Sequence, residues 1–210
     1  MENSISNTSQ PKRHFNKMLL LILFGITSTI TQNVLAQTPY KTFTSSEIKV
    51  DGTSNLHDWS MLASDFTCTG NLLIKNGNLI NITALKFSLP VNNLKSKEDL
   101  MDSRAYKALK AKAFPKITFV LTEATVIAKQ KSIKAIGNLT ISGVSKKVEI
   151  NSTYVLNADE SVTMRATEAI KMSDYGVKAP SFMLGALRTG DDLSISILLK
   201  LKSAELQTKN

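Results

Sequence analysis

The segment "DLSISILLKLK" (residues 192–202) alternates strictly enough to fix its backbone geometry. Leu193, Ile195, Ile197, Leu199 and Leu201 share one parity, and Asp192, Ser194, Ser196, Lys200 and Lys202 share the other, with Leu198 the exception. Side chains two apart on an extended strand fall on one face, so this segment reads as a strand with a dry side and a wet side. "SVTMRATEAIKM" (161–172) repeats the pattern, with Val162, Met164, Ala166, Ile170 and Met172 opposite Thr163, Arg165, Thr167 and Lys171. So do "KTFTSSEIKVDG", "NITALKFSL", "KITFVLTEATVIA", "SIKAIGNLTIS" and "KKVEINSTYVL". Breakers separate them: Asn76-Gly77, residues 129–132, Ser142-Gly143, residues 158–161 and Gly190-Asp191-Asp192. Connections this short make hairpins, hence an antiparallel meander. Roughly eight one-sided strands in succession are expected to close into a barrel, which removes exposed edges.

One segment follows a different period. "SKEDLMDSRAYKALKAKAF" (96–114) places Leu100, Met101, Ala105, Ala108 and Leu109 at helical spacing. The spacing predicts a helix over about residues 97–112, capped by Ser96 and ended by Pro115. A lone helix between two strands of a meander reads as a lid or plug. "APSFMLGALRTG" (179–190) predicts a second, shorter helical turn.

The N-terminus has other work. "PKRHFNK" carries Lys12, Arg13 and Lys17, "MLLLILFGITSTI" follows, and "NVLAQ" offers small residues at Val34 and Ala36. That is the layout of a secretory signal peptide cut after Ala36. The alternative, an uncleaved anchor, needs about 20 predominantly apolar residues, and here Thr27, Ser28, Thr29, Thr31, Gln32 and Asn33 intervene. The expected organisation is a signal peptide (1–36), one domain (37–202) and a polar tail (203–210), working in the periplasm or secreted. Cys68 is the single cysteine, so no internal disulfide forms and a small core residue is expected. Residues 1–36 hold three basic and one acidic side chain, so +7 of the formal +9 belongs to the remainder. That charge suits an anionic membrane surface or head group, with transient membrane-surface contact, although a solvated lysine-rich face also accounts for it. Lysines scattered over an exported chain do not point to nucleic acid.

Catalytic constellations are missing. Beyond Ala36, His57 is the only histidine, set in "DGTSNLHDWSM" between Leu56 and Asp58, beside the only tryptophan, Trp59. One His and one Cys, with no HxxxH or CxxC, do not make a transition-metal site. There is no G-x-S-x-G elbow and no Gly-rich phosphate loop. The acidic pairs Glu98-Asp99, Asp159-Glu160 and Asp191-Asp192 fall at an expected helix start or at turns, where they are favoured structurally. What remains is shape, and the sequence is read as a non-enzyme without a cofactor. Such a barrel either fills itself or holds an elongated apolar guest, and Phe87, Phe119, Met164, Met172, Phe182 and Met183 suit both. An integral outer-membrane barrel needs aromatic girdles, which an aromatic content of 6% does not supply.

Three motifs carry a resemblance. "SRAYKALKAKAFPKITFVLTEA" (103–124), "GNLTISGVSKKVEI" (137–150) and "IKMSDYGVKAPSFMLGALRTGDDLSISILLKL" (170–201) resemble the YceI-like family of lipid- and polyisoprenoid-binding proteins. "GTSNLHDW" resembles the opening of one branch of it. The resemblance implies an elongated, lipocalin-like, eight-stranded antiparallel barrel in the periplasm or secreted. It further implies a long isoprenoid, isoprenoid quinone or other amphiphilic lipid in the barrel, carried or sequestered without catalysis, and often a homodimer. On this reading Phe87, Phe119, Leu121, Met164, Met172, Ile195 and Ile197 line the chain's path. Arg104, with Tyr106 and nearby lysines, meets a polar head. Alternation along a bent first strand sends His57 and Trp59 to one face and Asp58 to the other. Trp59 is expected in the barrel or on its rim. His57 is either a hydrogen-bonded structural residue or a head-group contact. The alternative is a filled, ligand-free barrel serving as an envelope interaction or stress-response module.

Overall fold

The computed structural model describes residues 38–43 and 45–204. The expected signal peptide and all but the start of the polar tail lie outside these residues. Within them the chain forms β1 (Thr38–Thr42), β2 (Glu47–Ser54), β3 (Trp59–Ala63), β4 (Thr67–Lys75) and β5 (Asn78–Pro90). A helix, α1 (Asp99–Ala108), follows, then β6 (Lys116–Ile127), β7 (Ser132–Ile141), β8 (Val144–Leu156), β9 (Val162–Lys171), β10 (Ser181–Phe182) and β11 (Leu187–Ser203).

Every ladder is antiparallel, and the sheet closes because β1 pairs β4 on one side and β11 on the other. β1 and β2 lie end to end along β11, with Thr42 opposite Leu201 and Ile48 opposite Ile197. β3 and β4 likewise form one interrupted strand against them. The wall is therefore the expected eight-stranded antiparallel barrel with one inserted helix, and the short β10 pairs β11 off the ring. The break between β1 and β2 is patched by a side chain: the Lys200 N–H donates to buried Ser46 Oγ at 2.9 Å. Two of the hairpins use the breakers directly. Asn76-Gly77 and Ser142-Gly143 both have positive φ at both positions, the turn whose twist matches the flanking strands.

Three local expectations need correction. Gly190-Asp191-Asp192 is not a turn but lies inside β11, where the register shifts between Thr189 and Leu193. The Asp191 carboxylate there accepts the Ser173 N–H at 2.8 Å, so its turn chemistry serves a bulge. Ser96 does not cap α1. Its hydroxyl accepts the Glu98 N–H at 3.1 Å in a turn before the helix, and the N-cap residue, Glu98, makes no side-chain cap bond. Residues 179–190 hold the β10 strand and only a brief 3₁₀ turn, Met183–Gly185, broken by a left-handed Leu184.

The barrel is filled at one end. Leu72, Leu79, Val162 and Leu201 are fully buried near the β4–β5 and β8–β9 turns, where the Tyr40 hydroxyl donates to the Glu160 carbonyl at 3.1 Å. Each side chain comes from the dry parity of its strand, so packing at this end follows directly from the alternation.

A candidate ligand cavity

Away from the filled end the dry faces stand apart. A compartment of about 410 Å³ occupies the middle of the barrel, and a second of about 250 Å³ opens at the mouth, beneath α1. Val50, Leu94, Ile117, Ile141, Ile170 and Ile195 line both, so the two form one apolar track. The larger is within the usual range of small-molecule sites.

Phe87, Phe119, Leu121, Met164 and Ile197 line the inner compartment, Ile195 lines both, and Met172 lines the outer. The Phe87 ring sits 5.2 Å from that of Phe66 and tilted to it. Phe119 is buried against Gly137, where a Cβ would fall 2.4 Å from the ring. Cys68 also faces the inner compartment, and burial pushes its thiol up to about 12.

The inner compartment meets Glu149, Ser152, Arg165 and Glu168 along β8 and β9, and the outer compartment has polar groups of its own. Arg104, His57 and Trp59 line it together with Glu98, Arg188 and Tyr175. The N-cap Glu98 and, from α1, Met101, Ala105 and Ala108 follow at three- and four-residue spacing, one helical face. Its other contacts hold it in place. Asp102 is buried, accepts the Ser96 N–H at 2.7 Å and meets Lys95 Nζ at 3.4 Å. Burial alone would raise the Asp102 carboxyl, but the Ser96 hydrogen bonds and the Lys95 ammonium hold it below the usual carboxylate range. The Tyr106 hydroxyl lies 2.9 Å from both the Asn92 and Leu94 carbonyls. Tyr106 is thus committed to anchoring the helix and does not reach the cavity, contrary to the head-group role expected of it.

The "HDW" stretch differs from expectation in a second way. His57 and Asp58 do not lie in a strand; they form the β2–β3 turn, and β3 begins at Trp59. Ser54 Oγ organises this turn, accepting the His57 N–H at 3.1 Å and donating to the His57 carbonyl at 2.7 Å. His57 Nδ1 lies 2.8 Å from the Asp58 carbonyl, and Trp59 Nε1–H donates to the Thr53 carbonyl at 3.1 Å. The turn chemistry of Ser54 overrides the alternation, and both rings still end on the cavity rim.

Sequence reasoning passed over three features. Val50 and Met61 carried a legible signal in strand parity. Arg188 carried none, because its place depends on the bulge in β11. Met183, grouped with the core residues, instead projects at 74% exposure, and Leu184 beside it is fully exposed. Among the described residues no group of three or more His, Cys, Asp or Glu side chains is gathered as a metal site requires. Among them, too, no helix is long and apolar enough to cross a membrane.

A family model described as a YceI-like domain matches residues 43–201. Among solved structures, BcnA of Burkholderia cenocepacia is similar at a TM-score of 0.62 and 16% identity, over 75% of this chain and 96% of that one. A polyisoprenoid binding domain from Saccharophagus degradans, implicated in plant cell wall breakdown, is similar at 0.58 and 12%, over 80% and 99%. The Campylobacter jejuni YceI protein is similar at 0.51 and 18%, over 63% and 79%. At these identities the likeness is one of fold. No curated protein matches the sequence.

Proposed function

The chain belongs to the YceI-like domain family, and on that premise we propose that it is a binding protein for a long apolar chain. The cargo class is a polyisoprenoid, an isoprenoid quinone or a similar lipid, held inside the barrel and carried or sequestered without catalysis. The observation that carries this reading is the continuous, largely apolar track that runs from the middle of the barrel to a mouth where Arg104, Arg188 and His57 gather. A barrel filled throughout, the alternative expected from sequence, does not match these voids.

Binding is driven by desolvation. Each buried CH₂ contributes about 0.8 kcal/mol, so several isoprene units bind firmly without a strong polar contact. The head group stays at the mouth, beside Arg104, Arg188 and His57. An anionic or quinone head suits these donors. The signal-peptide layout of residues 1–36 supports work outside the cytoplasm, in the periplasm or secreted. The net charge and the exposed Met183-Leu184 tip support transient contact with a membrane surface.

The test is to express the full chain in a Gram-negative host, purify the exported protein without detergent, and compare native with denaturing mass spectra. The expected result is an extra mass that organic solvent extracts as an isoprenoid or quinone. An apo mass, with no uptake of added long-chain lipid, overturns the reading. The same native spectrum shows whether the protein is a monomer or a homodimer.

A further inference from the structure

The barrel wall has a gap. β8 pairs β7 along ten residues and β9 pairs β11 along ten, but β8 and β9 pair each other only from Ser152–Ala166 to Leu156–Val162. Toward the mouth, residues 144–151 of β8 and 167–171 of β9 share no ladder. The gap is framed at the mouth end by the Lys146–Asp174 ion pair at 2.8 Å. From Lys146 to Ser152 it is about 20 Å long, at the usual strand rise.

The seam between β5 and β6 also has five pairs, yet there only inward side chains line the cavity. At the β8–β9 seam, outward-facing Glu149, Arg165 and Ala169 line the inner compartment as well. The cavity thus reaches the seam itself, bordering residues of both faces there. A further cavity at the end of the paired stretch shares Ile133, Ser152, Arg165 and Ala166 with it.

A side chain closes the seam in place of the backbone. Glu168 has the parity of the inward residues Met164, Ala166 and Ile170, a charged group in a dry row. Its Oε1 accepts the Asn151 N–H at 3.2 Å, a donor that a continued ladder would pair with a β9 carbonyl. The Asn151 amide in turn donates to Glu149, which pairs with Lys134. A bond held by one flexible side chain opens without unzipping a ladder. Between the polar residues the parted edges carry apolar ones: Val148 and Ile150 on one side, Ala169 and Ile170 on the other.

We propose that the β8–β9 seam is a lateral portal through which the hydrocarbon tail enters and leaves the barrel sideways, with Glu168 as its latch. The proposal rests on the carrier reading above. It explains how a long tail loads while its head group stays at the mouth, without being threaded end-on past α1.

The test uses a nitrobenzoxadiazole-labelled geranylgeraniol as probe, in a Cys68→Ala background. Glu149→Cys and Ala169→Cys, which a continued β8–β9 register would place opposite each other, are bridged by a short bis-maleimide, before or after loading. Compared with the same variant unbridged, bridging first should slow uptake at least tenfold, and bridging a loaded chain should slow release to the same degree. Glu168→Ala, unbridged, should raise both rates about fivefold and leave Kd within twofold. Bridged and unbridged rates that agree, or a Glu168→Ala variant that changes Kd and not the rates, overturn the portal. Failure of the unbridged chain to take up the probe at all overturns the carrier reading itself, and the portal with it.

Discussion

Gly52 lies opposite Trp59 in the β2–β3 ladder, and a Cβ there would fall 2.2 Å from the indole ring. The missing side chain is what lets the ring lie across the strand and donate to the Thr53 carbonyl. Gly52→Ala should push the indole off, cost about 1–3 kcal/mol as overpacking does, and shift the emission of the single tryptophan to the red. Urea midpoints and fluorescence spectra check both. Cys68 gives a second residue-scale outcome. A thiol pushed up to about 12 by burial holds little thiolate, so iodoacetamide at pH 8 should label the folded chain on the order of a thousandfold more slowly than the unfolded one. Intact mass against time measures it. That Cys68 is a core residue was legible from its being the single cysteine of the sequence. That Glu168 breaks a dry row was equally visible in the sequence, but parity alone did not show that the neighbouring strand ends its ladder there.

At the scale of elements, the helix was legible from its period and its anchorage was not. The period follows from the sequence of α1 alone, whereas the anchor depends on where β5 leaves the chain after Pro90. The Asp102 carboxylate joins the two. Asp102→Ala strands the Ser96 N–H and should loosen α1 by about 1–3 kcal/mol, read as faster amide exchange across residues 99–108. Asp102→Asn, which keeps an acceptor, should lose less. The pH dependence has a definite sign. A carboxyl held below its unfolded value, near 3.9, contributes stability that is present above that value and is lost as pH falls through the lower folded one. Wild-type α1 should therefore hold at pH 5 and loosen below about pH 4, while Asp102→Ala shows no such step. The β11 bulge was hidden for a related reason. Gly-Asp-Asp is turn chemistry, and only the Ser173 partner, distant in sequence, turns it into a bulge.

At the scale of the whole molecule, closure was legible and hollowness was not. Eight one-sided strands leave no other way to hide their edges, but strand parity says which side chains are dry and not how far apart the dry faces stand. That spacing is set by strand number and stagger around the ring. The same geometry gathers at the mouth a feature that no single segment announces. Asn55 Nδ2 donates to the Ala186 carbonyl at 2.7 Å and the Arg188 N–H to Asn55 Oδ1 at 2.8 Å, tying the β2–β3 turn to the 183–186 turn and the start of β11. On this joined rim Leu56, Met183 and Leu184 are exposed, and Met183 and Leu184 are left-handed, a conformation that costs about 1–2 kcal/mol per residue. Holding two apolar side chains outward at such a cost, beside the opening of an apolar cavity and on a basic chain, is what a lipid-facing tip requires. Met183→Ser with Leu184→Ser should weaken co-sedimentation with vesicles containing anionic lipid at least tenfold, since burying each side chain fully is worth about 1.5–3 kcal/mol. The urea midpoint should not fall, because neither side chain packs in the core. Raising salt should weaken the wild type further, by screening its positive charge, and the double variant in proportion. Equal sedimentation of the two chains at low salt would exclude the tip as a membrane-contacting element.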